Sequence, residues 1–440
     1  MAWTYRQIAE VVRRRWESQT PVIAWMEQVR RRANGDLVIP MPDVEGEPAL
    51  PPLTPLLVAN AINRTAMRAA SVRPNIWSPA LNEGRERGPG SRTYASLRSH
   101  ALTATLDASY FGLVRRRYYR HLVGYATAAL TVHQCTDGPR VRVVNPLGAF
   151  PSPRAPEDLS DLDDIGFVSE MTSNQIRRRW PHAASEVGGP VKAGTRGDSE
   201  TWLIFEWQDP EQIMWGLLGP KWTGIDYQSF DAVAWQSWDS PLEVLPNRAE
   251  MVCTVCPQQV TLDALASRVS QVIGISDLMG RLLQLDVVAQ EKAIFPDRYI
   301  IATPTGTPRI QGGRWHDGRE GDTNVLTDVA QVGELRSTPD MRTYQTLQML
   351  ERNFNNSTDQ APPMAGEGGS YAARTGRGID TMLTASIDQT VQELHEMSEA
   401  FLPTLLKGVI RTYRGWYGTK TFSMASSWGG RVVKREFQVD

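Results

Sequence analysis

The stretch TLDALASRVSQVIGISDLMGRLLQLDVVAQEK, Thr261 to Lys292, decides how the chain is organised. Leu262, Leu265, Val269, Val272, Met279 and Leu283 recur at three- and four-residue spacing, which gives a helix one continuous apolar face. Other apolar side chains flank that stripe and make it broader than a lone surface helix needs. The spacing predicts a nearly unbroken rod about 50 Å long, at 1.5 Å per residue. It stops at Phe295-Pro296, since a residue before proline is disfavoured in a helix.

Downstream, DRYIIATPTGTPRIQGGRWHDGREGDTNVL carries strand and turn signals and is rich in Gly and Thr. A second helix is predicted over Asp340 to Asn355, with Met341, Tyr344, Leu347, Leu350 and Phe354 on one face. The tract STDQAPPMAGEGGSYAARTGRG then reads as a flexible loop. A last helix starts near Ile379, carries Leu383, Ile387, Val391, Leu394 and Phe401, kinks at Pro403 and runs to Tyr413. TKTFSMASSWGGRVVKREFQV reads as a closing hairpin.

Upstream the pattern is helices first, antiparallel strands after. Residues 1 to 33 form an amphipathic helix, with Ile8, Val11, Val12 and Trp16 opposite the run Arg13 to Arg15. Gly35 to Pro55 is too rich in Pro and Gly for a regular element and reads as an extended arm. Two more helices follow: LLVANAINRTAMRAAS, with Leu57, Ala61, Ile62 and Met67 at helical spacing, and a long one from about Arg92 to His121. GYATAALTVHQC and RVRVVNP alternate around Asp137-Gly138, as two strands joined by a tight turn do. A proline-rich connection over 146–168 leads to the short helix SNQIRRRWP. TWLIFEWQ, IMWGLL and AVAWQSW are then tryptophan-rich strands. The class expected is α+β.

Composition narrows the function. Lys+Arg of 47 against Asp+Glu of 49 gives a net charge of −2, unlike proteins that coat nucleic acid by bulk electrostatics. Six of the 47 cations are Lys; the Arg excess fits a GC-rich codon usage and also supplies guanidinium forks for phosphate or subunit contacts. Three cysteines are too few for a disulfide framework, so a reducing compartment is expected. The N-terminus lacks a signal peptide's apolar core, and no run of about 18 apolar residues is present, so neither export by that route nor a membrane span is expected.

Motifs for chemistry are weak. Cys253 and Cys256 have the spacing of a redox pair or half a zinc site, but MVCTVC alternates as a strand that puts them on opposite faces. Glu157, Asp158, Asp161, Asp163 and Asp164 could attract a hard cation, yet lack the fixed ligand spacing of a calcium loop and read as a solvated run. No histidine pair suits a metallohydrolase, and GEGGSYAARTGRG lacks the Lys of a phosphate-binding P-loop. That tract does place Arg374 and Arg377, with Tyr371, on a loop able to touch a polyanion. RRRYYR, Arg115 to Arg120, suits either nucleic acid or a helix face pairing with a neighbour. No catalytic set, metal site or cofactor is expected.

The order of parts (helical arm, α+β body, long helix, β-like insert, returning helix, Gly-rich loop, kinked helix) resembles the portal, or head-to-tail connector, proteins of tailed bacteriophages. LLVANAINRTAMRAASVRPNIWSP is similar to that family's early wing helix, and the segment from Gly124 to Pro181 resembles its wing pattern of strands, acidic loop, short helix and aromatic-Pro. RTGRGIDTMLTASIDQTV resembles the start of the helix after the tunnel loop. The resemblance implies a wing over 1–258, a stem helix over 259–294 and a clip over 295–337. A returning stem helix over 338–358, a tunnel loop over 359–378 and a kinked helix with a short crown segment over 379–440 would follow. The returning stem helix is shorter than the outgoing one, and with only a short hairpin after the last helix any crown would be small or reorganised.

The implied function is a non-enzymatic ring of about twelve subunits closed by head-to-tail contacts. It would sit at one capsid vertex beside the major capsid protein, in the virion and, during assembly, in the host cytoplasm. Double-stranded DNA would pass through it, and the terminase large subunit and then a head–tail adaptor would dock on the clip. Arg374, Arg377 and Tyr371 would then face DNA, and Arg309, Arg314, Trp315 and Arg319 the docking partners. Leu265, Val269, Val272, Met279 and Leu283 would pack between subunits. Another phage structural ring, such as an adaptor, tail or baseplate component, is the alternative.

Overall fold

A computed structural model describes residues 4–35, 56–71, 76, 89–135, 137–152, 162–185, 201–220, 241–249, 253–257, 266–294, 297–302, 309–310, 326–327, 329–335, 341–358, 391–396, 402–418, 421–428 and 431–438. The fold is mixed α plus β, in two compact units. The first combines Met1–Arg30, Asn60–Gln271 and Ser370–Asp440; the second combines Arg31–Ala59 with Val272–Gly369.

In the first unit, helix α1 (Tyr5–Asn34, its last turn belonging to the second unit) buries Ile8, Val12 and Trp16 four residues apart, then Ile23, Met26 and Val29. Its arginine run divides. Arg13 and Arg14 make exposed pairs with Glu17 and Glu10, whereas Arg15 turns inward to Asp164 at 2.5 Å and lies over the Trp207 ring. α2 (Leu57–Ala69) buries Ala61, Ile62, Ala66 and Ala69, and leaves Met67 exposed.

The expected single helix over 92–121 is two: α3 (Pro89–Ala108) and α4 (Phe111–Tyr125). Tyr110 between them is left-handed, at φ 53° and ψ 46°. The cause lies far away in sequence. Ser109 bonds back to the Thr105 carbonyl at 2.6 Å and accepts the backbone N–H of Val141 at 3.0 Å, so a strand holds the corner of the helix pair.

Strands β1 (Thr127–Cys135) and β2 (Gly138–Val144) pair antiparallel, closing at Cys135 opposite Gly138. Gly138 is thus the first residue of the returning strand, with φ 125° that favours glycine. A 3₁₀ turn over Pro146–Gly148 leads to β3 (Ala149–Pro151), β4 (Ile165–Thr172) and helix α5 (Ser173–Arg179). α5 opens with a complete capping box between Thr172 and Gln175. β5 (Thr201–Gln208), β6 (Gln212–Pro220) and β7 (Glu243–Pro246) complete an antiparallel sheet of order β3-β4-β5-β6-β7. β8 (Cys253–Pro257) adds to β1, making the sheet β2-β1-β8.

The five-stranded sheet is buried on both faces, which is why its strands read as near-continuous apolar runs. Leu203, Phe205, Trp207 and Met214 pack on α1, while Trp202, Ile204, Ile213 and Trp215 pack with Ile176 and Trp180 at α5. A separate core joins α3 and α4 to β1, β2 and the C-terminal helix over 402–412, through Leu106, Tyr118, Leu122, Leu130, Val141 and Val409.

The expected rod from Thr261 is also interrupted. A four-residue helix α6 (Arg268–Gln271) ends before a turn at Val272, and α7 (Ile273–Ile294) begins after it. Ser267 caps α6 by accepting the Ser270 N–H at 2.9 Å, and Gly274 weakens the helical preference just past the break. α7 alone is about 33 Å long. The unit boundary falls at the same place, between Gln271 and Val272.

In the second unit, β9 (Asp297–Ala302), β10 (Arg309–Ile310), β11 (Leu326–Thr327) and β12 (Val329–Leu335) lie between α7 and α8 (Met341–Ser357). β9 pairs with β12 and β10 with β11, both antiparallel. α7 and α8 pack together, and α8 buries Leu350 and Phe354. Arg32, at the end of α1, clamps Asp277 of α7 with two bonds of 2.8 and 2.5 Å. The C-terminal hairpin is β13 (Thr421–Trp428) with β14 (Arg431–Gln438), as the sequence predicts.

Candidate functional site

Arg374, Arg377 and Tyr371 lie outside the described residues, as do Arg314, Trp315, Arg319 and Leu265. Arg309 opens strand β10, and nothing is described of its side chain. The four other stem positions are described and divide by burial. Val269, Val272 and Met279 are buried within this chain and Leu283 is half-buried. The large apolar side chains that α7 leaves exposed are instead Leu278 (48 % exposed), Leu285 (44 %) and Val287. Leu278 and Leu285, seven residues apart, stand on one face two turns apart. Sequence reasoning followed the broader stripe and missed this second one; its signal was the excess of leucine in LMGRLLQL. α8 likewise exposes Tyr344 and Met349.

Other clusters resolve into structural roles. In RRRYYR the two tyrosines are core residues, so their rings are closed to nucleic-acid bases, while Arg116, Arg117 and Arg120 are exposed. Arg115 bonds the Ala70 carbonyl. Cys253 and Cys256 lie on strand β8, opposite Thr131 and Ala128 of β1. No cluster of three or more His, Cys, Asp or Glu able to hold a metal occurs among the described residues. Asp164, from the acidic run, pairs with Arg15.

In the first unit, β1, the β5–β6–β7 face and the C-terminal helix line a partly open pocket of about 250 Å³. The sheet register places Glu206, Trp215 and Glu243 in one cross-strand row, with Gln208, Ile213 and Leu245 in the next. The Arg179 guanidinium lies over the Trp215 ring at 5.1 Å and over Trp180 at 4.6 Å. Trp180 donates its indole N–H to Glu243 at 2.8 Å. His133 of β1 also lines the cavity; burial pushes its imidazole below the usual histidine range, against the opposing pull of Glu206.

A π-helical turn over Tyr413–Tyr417 closes one wall, bringing Thr412 and Trp416 to the cavity. Three anchors hold it. The Tyr417 hydroxyl accepts from the Cys135 N–H at 2.9 Å and donates to the Cys135 carbonyl at 2.5 Å. Tyr413 shares a hydrogen bond with Thr105 at 2.7 Å, and burial pushes its phenol up to about 12 although that bond works against the shift. Gly415 lies against the Arg248 backbone, where an added Cβ would sit 2.1 Å from the carbonyl oxygen. The sequence signals for the cavity were the polar interruptions Glu206 and Gln208 at the end of an otherwise apolar strand.

Compared with protein-family models and with curated proteins, the chain matches none. Among the described residues, no helix is long and apolar enough to cross a membrane.

Proposed function

We propose that this chain is the portal subunit of a tailed-bacteriophage particle, a non-enzymatic ring of about twelve copies closed by head-to-tail contacts. The ring conducts double-stranded DNA during packaging and ejection, and serves as the platform for the terminase large subunit and then a head–tail adaptor.

The observation that carries this reading is the order of segments along the chain, with Arg31–Ala59 grouped with the later segment Val272–Gly369. A helix–β–helix segment, Val272–Gly369, interrupts an α+β unit built from the chain's N-terminal and C-terminal parts. That order is the one the sequence resemblance implies for wing, stem, clip and returning stem. Leu278 and Leu285 support self-association, because adjacent exposed apolar side chains on a helix are the material of protein interfaces. Near-neutral charge suits a channel wall, which should attract phosphate weakly enough for DNA to slide.

Negative-stain class averages and mass photometry of the purified full chain test the proposal. Closed rings with an axial opening are expected. A protein that remains monomeric across concentration and salt overturns it, and a ring located in the tail rather than at the capsid vertex transfers the reading to an adaptor or baseplate role.

A further inference from the structure

Helices α2 and α4 carry six arginines, Arg64, Arg68, Arg115, Arg116, Arg117 and Arg120, and no Asp or Glu. The two helices pack antiparallel. Arg115, near the start of α4, donates to the Ala70 carbonyl just past the end of α2, and Ile62, early in α2, lies against Gly124 near the end of α4. A layer of charge +6 is thus built into a chain whose net charge is −2. On α1 and α6, by contrast, Arg13, Arg14, Arg30, Arg32 and Arg268 pair with Glu17, Glu10, Glu27, Asp277 and Glu393. Arg116, Arg117 and Arg120 are exposed and make no ion pair among the described residues.

These three fall within an arc of about 100° and span about 6 Å of the α4 axis, so they form one ridge. The opposite face, with Tyr118, Tyr119 and Leu122, is buried in the core and fixes the ridge in place. Like charges are felt inside the layer. Burial, and after it the charge of Arg64, pulls the Arg68 guanidinium below its ordinary range, and Arg117 and Arg120 add to the larger effect of burial on His121. A local excess of cations without counterions is the footprint of an anionic partner. The middle of the ridge is charged, the reverse of a protein interface, whose centre is depleted in charge. Its exposed apolar neighbours on this part of the chain, Leu113 and Tyr110, stand at one end. Guanidinium forks suit phosphate, and duplex DNA presents about one negative charge per 1.7 Å of its axis. With the rings of Tyr118 and Tyr119 buried, contact stops at the backbone and reads no sequence.

We propose that Arg116, Arg117 and Arg120 form a contact for the phosphate backbone of duplex DNA, apart from any contact made by the Gly-rich loop. The inference rests on the portal reading for the presence of DNA and on the ridge alone for the site. A small cationic ridge on a near-neutral chain holds duplex weakly, through few phosphates and with no preference for sequence.

Fluorescence anisotropy of a labelled duplex of about 30 base pairs with the full chain, at salt from about 50 to 200 mM, tests this. The triple variant Arg116→Gln, Arg117→Gln, Arg120→Gln should bind at least about tenfold more weakly at the lowest salt, and its log affinity should fall less steeply with log salt, by about 2–3. Lysine at the same three positions keeps the charge and should keep most of the binding. Two duplexes of unrelated sequence should bind alike, and because the three side chains are exposed, both variants should melt like the parent. Unchanged affinity and salt slope in the glutamine variant overturn the proposal, as does a lysine variant as weak as the glutamine one. Poly-L-glutamate bound more tightly than duplex at matched charge also overturns it, by giving the ridge to an acidic protein segment. Class averages of the same samples separate this outcome from the ring. Rings that form in the glutamine variant while DNA binding weakens support the ridge, and loss of rings in that variant alone overturns it in favour of a subunit contact. A parent that forms no rings overturns the portal reading and leaves the ridge to its salt slope.

Discussion

Single residues in this fold are tied to protonation as well as packing. His121 of α4 has its Nδ1 shut off from solvent, and its imidazole is lowered from about 6.5 to about 4. Burial is the main cause; a hydrogen bond with the Val144 backbone opposes it, and Arg117 and Arg120 add to it. The native state therefore refuses a proton that the unfolded chain accepts below pH 6.5. Stability from this residue is fully present above that pH and falls as pH drops toward 4, by roughly 3 kcal/mol in all. Urea unfolding at about pH 7.5 and at about pH 4.5 should show a loss that shrinks by about 2 kcal/mol in His121→Gln. An equal loss in parent and variant would assign the acid sensitivity elsewhere. None of this is legible in RRRYYRH, because the imidazole is held against the Val144 backbone at the end of β2, distant in sequence. The same is true of the cavity: Glu206, Gln208, Trp215 and Glu243 become neighbours only through the register of β5, β6 and β7.

Elements were legible where the period was local. α1, α5 and α8, the β1–β2 pair and the final hairpin all follow from spacing, caps and turn residues close to hand. The breaks at Tyr110 and Val272 were not, since neither carries a Gly or Pro at the break itself. At Tyr110 the helix yields because Ser109 is recruited by Val141, and a left-handed tyrosine is tolerated as the consequence. That conformation costs a residue with a Cβ about 1–2 kcal/mol, partly recovered by its smaller entropy loss on folding compared with glycine. Tyr110 is 75 % exposed, so little packing offsets the strain. Tyr110→Gly should therefore raise stability by about 0.5 kcal/mol, seen as a small rise in melting temperature. A fall would mean that the tyrosine side chain itself holds the α3–α4 corner. The π-helical turn argues the same way in reverse: only glycine fits at Gly415 because the Arg248 backbone leaves no room, a constraint set far upstream in the chain.

At the scale of the whole molecule, the proposed ring would use the exposed apolar surface of α7 for assembly and the buried surface for folding. Val269, in the short helix before it, and Met279 stabilise the protomer, whereas Leu278 and Leu285 stand outside its buried core and remain available to a neighbouring copy. Burying the exposed half of each leucine stabilises a contact by about 1 kcal/mol per side chain, so replacing both with a charge weakens every subunit contact by roughly 2–3 kcal/mol or more. In a closed ring that penalty recurs at each interface. Leu278→Glu combined with Leu285→Glu should convert rings into protomers while the melting temperature of the protomer stays within a few degrees of the parent. Sedimentation velocity with far-ultraviolet circular dichroism melting reads both quantities on one sample. Rings that persist in the double variant would move the subunit contact off this face of α7, and a protomer that also unfolds would show that the two leucines serve the fold after all.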